Sequence, residues 1–399
     1  MGPSTSSDGR KVGLIAVMAR EVKTIARSPF YVLFMFVFPI LSAAVMWGIF
    51  ASRVPRDMPV VVRDGDQSTL SRQVIRMTDA SATIAVAATV QDAAEAARHL
   101  RQGRAYALIY LPAHMERDAR RGQSPEISVY FNNQWLLCSG VILRALRGVT
   151  GTLSAGLDIR TRLMKGEHPA QAFERFEPIR LEAHPLFNPN LSYYQFLVPP
   201  AIVALLQVFV LMVTVRAVGA ELRHGTAGGW LEAAGGRTWL ALLGKLAPYT
   251  IAFVLLAFTT LAVLFRVGRV PNNSTPWVLA SATVLYVLAY QSMGVFLIAV
   301  TANLRLANSV AGFYSGPAFA FAGITFPLIG IPPAVKVWSY SLPLTHYVHL
   351  YFEQAYRGCP AQTSASGLLV LLGFVLLPPL IYVPRMRQCI RNPKYWGRL

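Results

Sequence analysis

Residues 235–245 combine glycines with a Gly-Lys pair, and this combination can form a loop that binds phosphate. The phosphate-binding loop of nucleoside triphosphatases follows the pattern G-x-x-x-x-G-K-[ST]. Here Trp239 occupies the position of the first glycine, and Leu246 occupies the position of the hydroxyl that would coordinate magnesium. The sequence therefore does not predict ATP hydrolysis at this loop. We expect Lys245 to extend its amine from the start of an apolar segment to the adjacent membrane surface.

Histidine and cysteine side chains give no stronger indication of a functional site. The chain has seven histidines and three cysteines, which are Cys138, Cys359 and Cys389. They form no spaced ligand set, so no metal site is predicted. His346, His349 and Glu353 do lie near one helical face. We interpret them as polar residues at a packing interface in preference to metal ligands.

The composition indicates a membrane protein. Of 399 residues, 54% are hydrophobic and 14% are charged, whereas a soluble domain is roughly 25% charged. The formal net charge of +18 could indicate nucleic-acid binding. However, most basic residues outside the 53–180 segment flank apolar stretches, which is typical of membrane flanks and not of a groove that follows phosphates.

Six segments are long enough to cross about 30 Å of hydrocarbon. They are 30–50, 196–218, 239–265, 277–300, 307–329 and 367–383. The predicted fold is an α-helical polytopic membrane protein with six transmembrane helices and an α/β domain inserted between the first two. None of these spans contains Asp or Glu, which argues against a proton-coupled carrier and favours an external energy source.

The basic residues predict the orientation of the chain. If both termini are cytoplasmic, the short outer loops hold only Arg266, Arg269, Lys336 and Arg357, and the remaining basic flanks, including the tail at 385–399, lie inside. Segment 51–193 then lies outside the cytoplasm. Cys138 and Cys359 would share that oxidising compartment and could form a disulfide, although we favour two free thiols.

The segment before the first span, 1–29, is predicted to form an amphipathic helix in the membrane interface. Its apolar face consists of Leu14, Ile15, Met18, Val22 and Ile25. Arg20, Lys23 and Arg27 lie on the opposite face.

The segment 51–193 alternates short β-branched stretches with helical ones, which predicts a small α/β domain. "MPVVVRD", "ATIAVAA" and "AYALIYLP" read as strands, and the last is stopped by Pro112. The turn after the first strand lacks G-x-G-x-x-G, so a structural or substrate-guiding role is favoured over nucleotide binding.

The segment 221–236 is more elaborate than a hairpin between two spans requires. Gly225 can end the preceding helix, and Thr226 can cap a helix formed by "AGGWLEA". This helix is expected to present Trp230 and Leu231 beside Glu232 to a groove on another protein. The alternative is a helix that lies on the inner leaflet.

Five motifs occur in an order that resembles a known family. They are "REVKTIARSP", "NPNLSYYQFLVPPAI", "ELRHGT", "LLGKLAPY" and "FAGITFPLIGIPPAVKVWSYSLPLTHYV". Along nearly its full length the chain resembles the type-2 ATP-binding-cassette exporter permeases. The first motif, which contains Arg20 and Glu21, resembles the interfacial helix of that family, and "ELRHGT" resembles its E-x-x-x-G-T coupling motif.

The resemblance implies that 221–236 is a coupling helix that docks on a separate ATPase subunit. Glu221, Gly225, Thr226 and Leu231 carry over by position. The chain departs from the family at Gly228, where an acidic residue is usual, and at 233–234, where Thr-Pro is usual. These differences bear on the strength of coupling and are compatible with a heterodimer whose second permease has the full motif.

The resemblance also implies a re-entrant segment at 330–357 that dips into the membrane from outside. The matching signature residues are Gly323, Phe326, Pro327, Pro332, Pro333, Pro343 and Thr345. The transport route in this family lies at a dimer interface. Phe209, Phe313 and Phe319 are candidates to line it, with aromatic residues facing lipid as the alternative.

The predicted function is therefore that of a permease subunit in the inner membrane of a bacterium. It would export an amphiphilic or lipophilic compound as a dimer, either with a second copy or with a paralogue. A partner ATPase would bind ATP and magnesium, and this chain would need no cofactor and no nucleic acid. A periplasmic adaptor is a further candidate partner. The main alternative is a membrane-anchored binding or sensory protein that acts through its external domain.

Overall fold

The computed structural model describes residues 13–51, 55–121, 123–131, 136–164, 186–189 and 191–397. The chain divides into two compact units. A membrane unit comprises Met1–Ala51 and Gln195–Leu399, and an inserted unit comprises Ser52–Tyr194.

The inserted unit contains a four-stranded mixed sheet. Its strands are β1 (Met58–Asp64), β2 (Ile84–Val90), β3 (Ala107–Leu111) and β4 (Ser128–Phe131). Their order is β2-β1-β3-β4; β1 pairs in parallel with β2 and β3, and β4 pairs antiparallel with β3. The parallel pairs require crossover helices, and the alternation of β-branched and helical stretches in the sequence supplies them.

In the part of this unit that the structure describes, four helices accompany the sheet. They are α3 (Thr69–Asp79), α4 (Ala93–Arg101), α5 (Met115–Arg120) and α6 (Leu136–Met164). Ser68 and Asp92 cap α3 and α4 by accepting backbone N–H groups of Ser71 and Ala94. The main core is formed by buried side chains of the strands and of α3, α5 and α6, including Val60, Ile109 and Ile142. The predicted α/β character of this segment is confirmed.

In the membrane unit, five of the described helices are long and apolar enough to cross a membrane. They are α2 (Pro29–Ile49), α7 (Tyr193–Arg223), α9 (Thr238–Arg266), α10 (Pro276–Thr301) and α15 (Ala365–Arg391). They correspond to five of the six predicted spans. The helix α7 continues beyond the predicted limit at residue 218, and its last turn therefore includes Glu221.

The predicted span at 307–329 is not one continuous helix. A 12-residue helix, α11 (Leu304–Ser315), is followed by a single turn, α12 (Ala318–Phe321). Twelve residues extend only about 18 Å. Gly316 and Pro317 follow α11, and Gly323 adopts a φ of +78°, a conformation that ends a helix. Hydropathy predicted a span here because it counts apolar side chains and not backbone breakers.

The remaining helices of the membrane unit are short. They are α1 (Leu14–Arg27), α8 (Ala227–Ala233), α13 (Pro333–Tyr340) and α14 (Pro343–Tyr351). The apolar face predicted for α1 is largely exposed, with Ile15 79% and Val22 55% accessible. Val17 and Glu21, one helical turn apart on the flank between the apolar and the basic face, are buried against the rest of the unit.

Candidate functional site

The candidate site is built around the turn that joins α7 to α8. Gly225 ends the helical stretch with a φ of +69°, which a glycine adopts without steric cost. Thr226 occupies the N-cap position of α8, but its side chain makes no capping bond. Its hydroxyl donates instead to Glu221. The side-chain cap expected at Thr226 is therefore not formed.

The short helix α8 is held against the chain by its tryptophan. Trp230 is fully buried, and its indole N–H donates to the carbonyl oxygen of Ala241 over 3.1 Å. The prediction that Trp230 projects toward a partner is wrong, since a buried indole packs best where its N–H finds an acceptor. Leu231 is half-buried, and Glu232 is exposed. The exposed surface of α8 is formed mainly by Gly229 and Glu232.

Lys245 is the centre of a buried ion-pair cluster. Its ammonium nitrogen lies 2.7 Å from Oε1 of Glu21 and 2.8 Å from Oε1 of Glu221. The same nitrogen lies 5.2 Å from the centre of the Trp230 ring, which is within cation–π range. The amine therefore joins α9, which carries it, to α1, α7 and α8.

Two further groups complete the cluster. Arg20 forms an ion pair with Glu221. The hydroxyl of Tyr249 donates to Oε2 of Glu21 over 3.2 Å. The two carboxylates are thus matched by two cations, and the buried charges are both paired and hydrogen-bonded. This is the condition under which buried ions are tolerated.

The expectation that Lys245 reaches the membrane surface is wrong. The residue is only 2% exposed. Two carboxylates lie within hydrogen-bond distance of its amine, so the side chain does not need to reach water. The pairing was missed because Glu21 is 224 positions away in sequence and Glu221 was placed outside the predicted span. A lysine within an apolar helix nevertheless signals that a counter-ion is needed nearby.

The helix α1 is fixed to the site at a second point. The backbone N–H of Gly13 donates to the carbonyl oxygen of Ala233, at the end of α8, over 2.9 Å. Along its length α1 also contacts Gly244 of α9, where the Cβ of Val17 approaches the backbone closely. The predicted interfacial helix is therefore linked to α8 directly as well as through the ion pairs.

The residues of the predicted re-entrant signature lie in the turns around α13 and α14. Gly323 lies against Leu328 and His349, and the hydroxyl of Thr345 donates to the carbonyl oxygen of Ser339 over 2.7 Å. Pro333 and Pro343 are the first residues of α13 and α14, where a missing N–H has least effect. The other signature residues, Phe326, Pro327 and Pro332, lie in or beside the turn before α13.

The polar groups of this region have local partners. His346 Nε2 lies 2.9 Å from the carbonyl oxygen of Tyr340, and Glu353 accepts a bond of 3.0 Å from the hydroxyl of Ser364. No group of metal-ligating side chains occurs among the residues that the structure describes. Cys138, Cys359 and Cys389 form no disulfide.

The three candidate pathway residues are not brought together by a shared contact. The Phe209 ring lies 6.3 Å from that of Phe34, and Phe313 is 73% exposed with its ring 6.1 Å from that of Trp338. Phe319 is half-buried in the single turn α12. Their role in lining a route stays a prediction.

Comparison with known proteins places these features in context. The model of a family described as "ABC-2 family transporter protein" matches residues 29–381. The chain is 26% identical over 190 residues to the probable multidrug ABC transporter permease YbhS of Escherichia coli, an alignment that covers 47% of this chain and 49% of the relative. It is 23% identical over 325 residues to the inner membrane transport permease YhhJ of the same species, which covers 79% and 81% of the two chains.

A third relative is the probable multidrug ABC transporter permease YbhR of E. coli, which is 24% identical over 164 residues, covering 41% of this chain and 44% of the relative. The chain thus spans less than half the length of YbhS and YbhR. No solved structure matches the chain.

Proposed function

Because this chain belongs to the ABC-2 family of transporter proteins, we propose that it is the permease subunit of an ATP-driven exporter. It works as a dimer with two ATPase subunits and moves an amphiphilic or lipophilic compound out of the cytoplasm or the inner leaflet. Two of the relatives are described as probable multidrug permeases, which supports a substrate of this class. ATP and magnesium bind to the partner, because the loop at 235–245 lacks the residues that hold them.

The proposed orientation follows the basic flanks. Both termini lie in the cytoplasm of a bacterial cell, the inserted unit lies outside, and α8 faces the cytoplasm. In this arrangement α8 is the coupling helix that contacts the ATPase. Its exposed residues Gly229 and Glu232 form the contact, and the buried Trp230 transmits the motion inward.

One observation carries this proposal: a single ammonium group contacts residues of three other helices. Lys245 bonds to Glu21 and Glu221 and lies over Trp230. Removal of one partner from a buried ion pair typically costs about 3–5 kcal/mol. A force on α8 is therefore expected to move α1, α7 and α9 together, since relative motion would separate these charges. That is the mechanical property that a coupling element needs.

The coupling proposal is tested by weakening the cluster without removing a side chain. Glu221→Gln and Thr226→Val remove the charge and the hydroxyl that join the end of α7 to the turn. We expect both variants to retain membrane insertion and to lose most of the ATP-driven, vanadate-sensitive uptake of a fluorescent amphiphile into inside-out vesicles, which corresponds to efflux from the cell. Co-purification of the ATPase with the tagged chain is measured in parallel.

The matched control is Glu95→Gln, which neutralises an exposed carboxylate of the inserted unit. It should transport as the wild-type chain does. Efflux that persists when no ATPase is present would refute the proposed function. Equal efflux from Glu221→Gln and from the control would refute the role of the cluster.

A further inference from the structure

The residues that follow α15 form a compact turn that returns to the helix. We call Asn392–Gly397 the hook. The Asn392 side chain accepts the backbone N–H of Lys394 over 3.0 Å and so caps a single 3₁₀ turn, Pro393–Tyr395. The indole N–H of Trp396 then donates to the carbonyl oxygen of Cys389 over 3.2 Å. The hook is therefore ordered by its own sequence and fixed to the last turn of α15.

The hook also contacts the coupling segment. The backbone N–H of Gly397 donates to the carbonyl oxygen of Leu222, in the last turn of α7, over 3.0 Å. The Trp396 ring lies across the start of α8. A Cβ atom at position 228 would stand 3.2 Å from its Cη2 atom, and one at position 225 would stand 3.8 Å from its Cε3 atom.

This contact explains an unusual glycine. A Cβ atom at position 228, as in a carboxylate side chain that would match the pattern of similar permeases, would force the Trp396 ring to shift by a few tenths of an ångström. In this chain the ring takes the place of a side chain at that point of α8. The hook is thus a part of the coupling segment that comes from the other end of the sequence.

The exposed charges around the hook are predominantly positive. Arg391 and Lys394 are exposed on the hook side, and Arg223 and Arg237 are exposed on either side of α8. Glu232 is the exposed acidic residue of α8. A partner that covers this surface would gain most from an acidic face.

We propose that the hook and α8 together form one docking surface for the ATPase subunit, with Trp396 as the residue that positions the two and Lys394 as a direct contact to an acidic patch. This inference rests on the proposed function. Anionic lipid headgroups are the competing partner. The described hook offers no exposed large apolar side chain to insert into a bilayer, because the Trp396 ring is half-buried against Gly225 and Gly228.

The test begins with the ATPase itself. The tagged wild-type chain is purified from its native membranes in detergent, and the ATP-binding-cassette protein that co-purifies is identified, expressed and purified separately. Its affinity for the wild-type and variant permeases is then measured in nanodiscs of phosphatidylcholine. Failure of the wild-type chain to retain any such ATPase overturns the proposed function, and with it this inference.

If the ATPase binds, the variants test the hook. We expect Lys394→Glu and Trp396→Ala each to weaken binding by about tenfold, a typical size for one interface contact. Trp396→Phe should retain most of the affinity, because it keeps an aromatic ring over Gly228. Arg305→Glu makes the same change of charge at an exposed residue at the start of α11 and should bind as wild type.

A double variant separates positioning from general stability. Gly228→Asp should weaken binding in the wild-type chain, where it meets the Trp396 ring, and should cause little further loss in Trp396→Ala. Wild-type affinity in both Lys394→Glu and Trp396→Ala would overturn the hook proposal and leave the proposed function standing. A Lys394→Glu defect that appears only in nanodiscs with phosphatidylglycerol would assign the hook to lipid and also overturn it.

Discussion

Gly244 of α9 lies against Val17 of α1 so closely that a Cβ atom at position 244 would stand 2.9 Å from the Cβ of Val17. The same atom would stand 3.1 Å from the carbonyl oxygen of Leu14. Both neighbours are close to the backbone and cannot rotate away. The helices α1 and α9 are therefore so close at this point that position 244 can carry only a hydrogen atom as its side chain.

The first prediction follows from this contact. Gly244→Ala should displace α1 and destabilise the chain by about 1–3 kcal/mol, which is the usual effect of overpacking. It should also reduce efflux, since α1 carries Glu21. The measurement is the thermal unfolding midpoint in detergent together with vanadate-sensitive transport.

Gly312→Ala provides the control for that substitution. A Cβ atom at position 312 would meet nothing within 4 Å. Alanine at this exposed position of α11 should leave stability unchanged or raise it by up to about 1 kcal/mol. Identical unfolding midpoints for the two variants would show that α1 does not pack on α9 in this way.

The second prediction concerns Lys245. Lys245→Met should destabilise the chain by about 3–5 kcal/mol, because it leaves Glu21 and Glu221 buried without their shared cation. Neutralising both acids as well, with Glu21→Gln and Glu221→Gln, should restore most of the loss. Unfolding in detergent measures the stability of the single and triple variants.

The exposed Lys23 on α1 is the matched control for this change. Lys23→Met should alter stability by no more than about 1 kcal/mol. A triple variant that is no more stable than Lys245→Met alone would show that the loss does not come from unpaired carboxylates, and it would contradict this explanation.

Local sequence signals predicted the elements well. Three of the four strands, β1 to β3, follow from short apolar runs that end at turn residues, as at Pro112. The helix α8 follows from its glycine boundaries at 225 and 235–236, all of which have positive φ in the structure. These features depend on residues within a few positions of one another, and a single sequence contains that information.

The arrangement of the site was not predictable in the same way. Lys245, Glu221 and Glu21 come from three distant segments, and no local pattern indicates that they meet. The burial of Trp230 depends likewise on an acceptor at Ala241. Sequence periodicity indicates which side of a helix is apolar, but it does not distinguish a side that meets the chain from one that meets a partner.

The third prediction compares two glycines at helix contacts. A Cβ atom at position 294 would stand 2.9 Å from the Cβ and Cγ2 atoms of Thr214. One at position 219 would stand 2.7 Å from Cδ1 of Leu304 and 3.0 Å from Cδ1 of Ile298. The neighbours of Gly219 are the far ends of flexible side chains, whereas Thr214 is branched beside its backbone.

Gly294→Ala should therefore cost about 1–3 kcal/mol, and Gly219→Ala should cost less than about 1.5 kcal/mol. Thermal unfolding of the two variants in the same detergent measures the difference. A larger loss for Gly219→Ala would mean that Leu304 and Ile298 are held more rigidly than Thr214.

The fourth prediction tests on which side of the membrane the inserted unit lies. Cys138 is half-buried on α6, and this burial raises the pKa of its thiol. The thiolate is the reactive form, so a raised pKa lowers the reactive fraction at neutral pH. In a Cys359→Ser, Cys389→Ala background, a small membrane-impermeant maleimide applied to intact cells should label Cys138 slowly at pH 7. The rate should rise about tenfold for each pH unit until the pKa is reached.

An exposed cysteine in the same unit provides the reference rate. Glu95→Cys, in a background that also carries Cys138→Ser, places a thiol on the exposed face of α4 and should react faster than Cys138 at pH 7. Labelling after detergent lysis gives the maximum extent of reaction for both cysteines. Labelling of both positions only after lysis would place the inserted unit in the cytoplasm. One span, α7, separates the inserted unit from α8, so the two lie on opposite sides of the membrane. That result would therefore place α8 outside the cytoplasm, where no ATPase subunit could contact it.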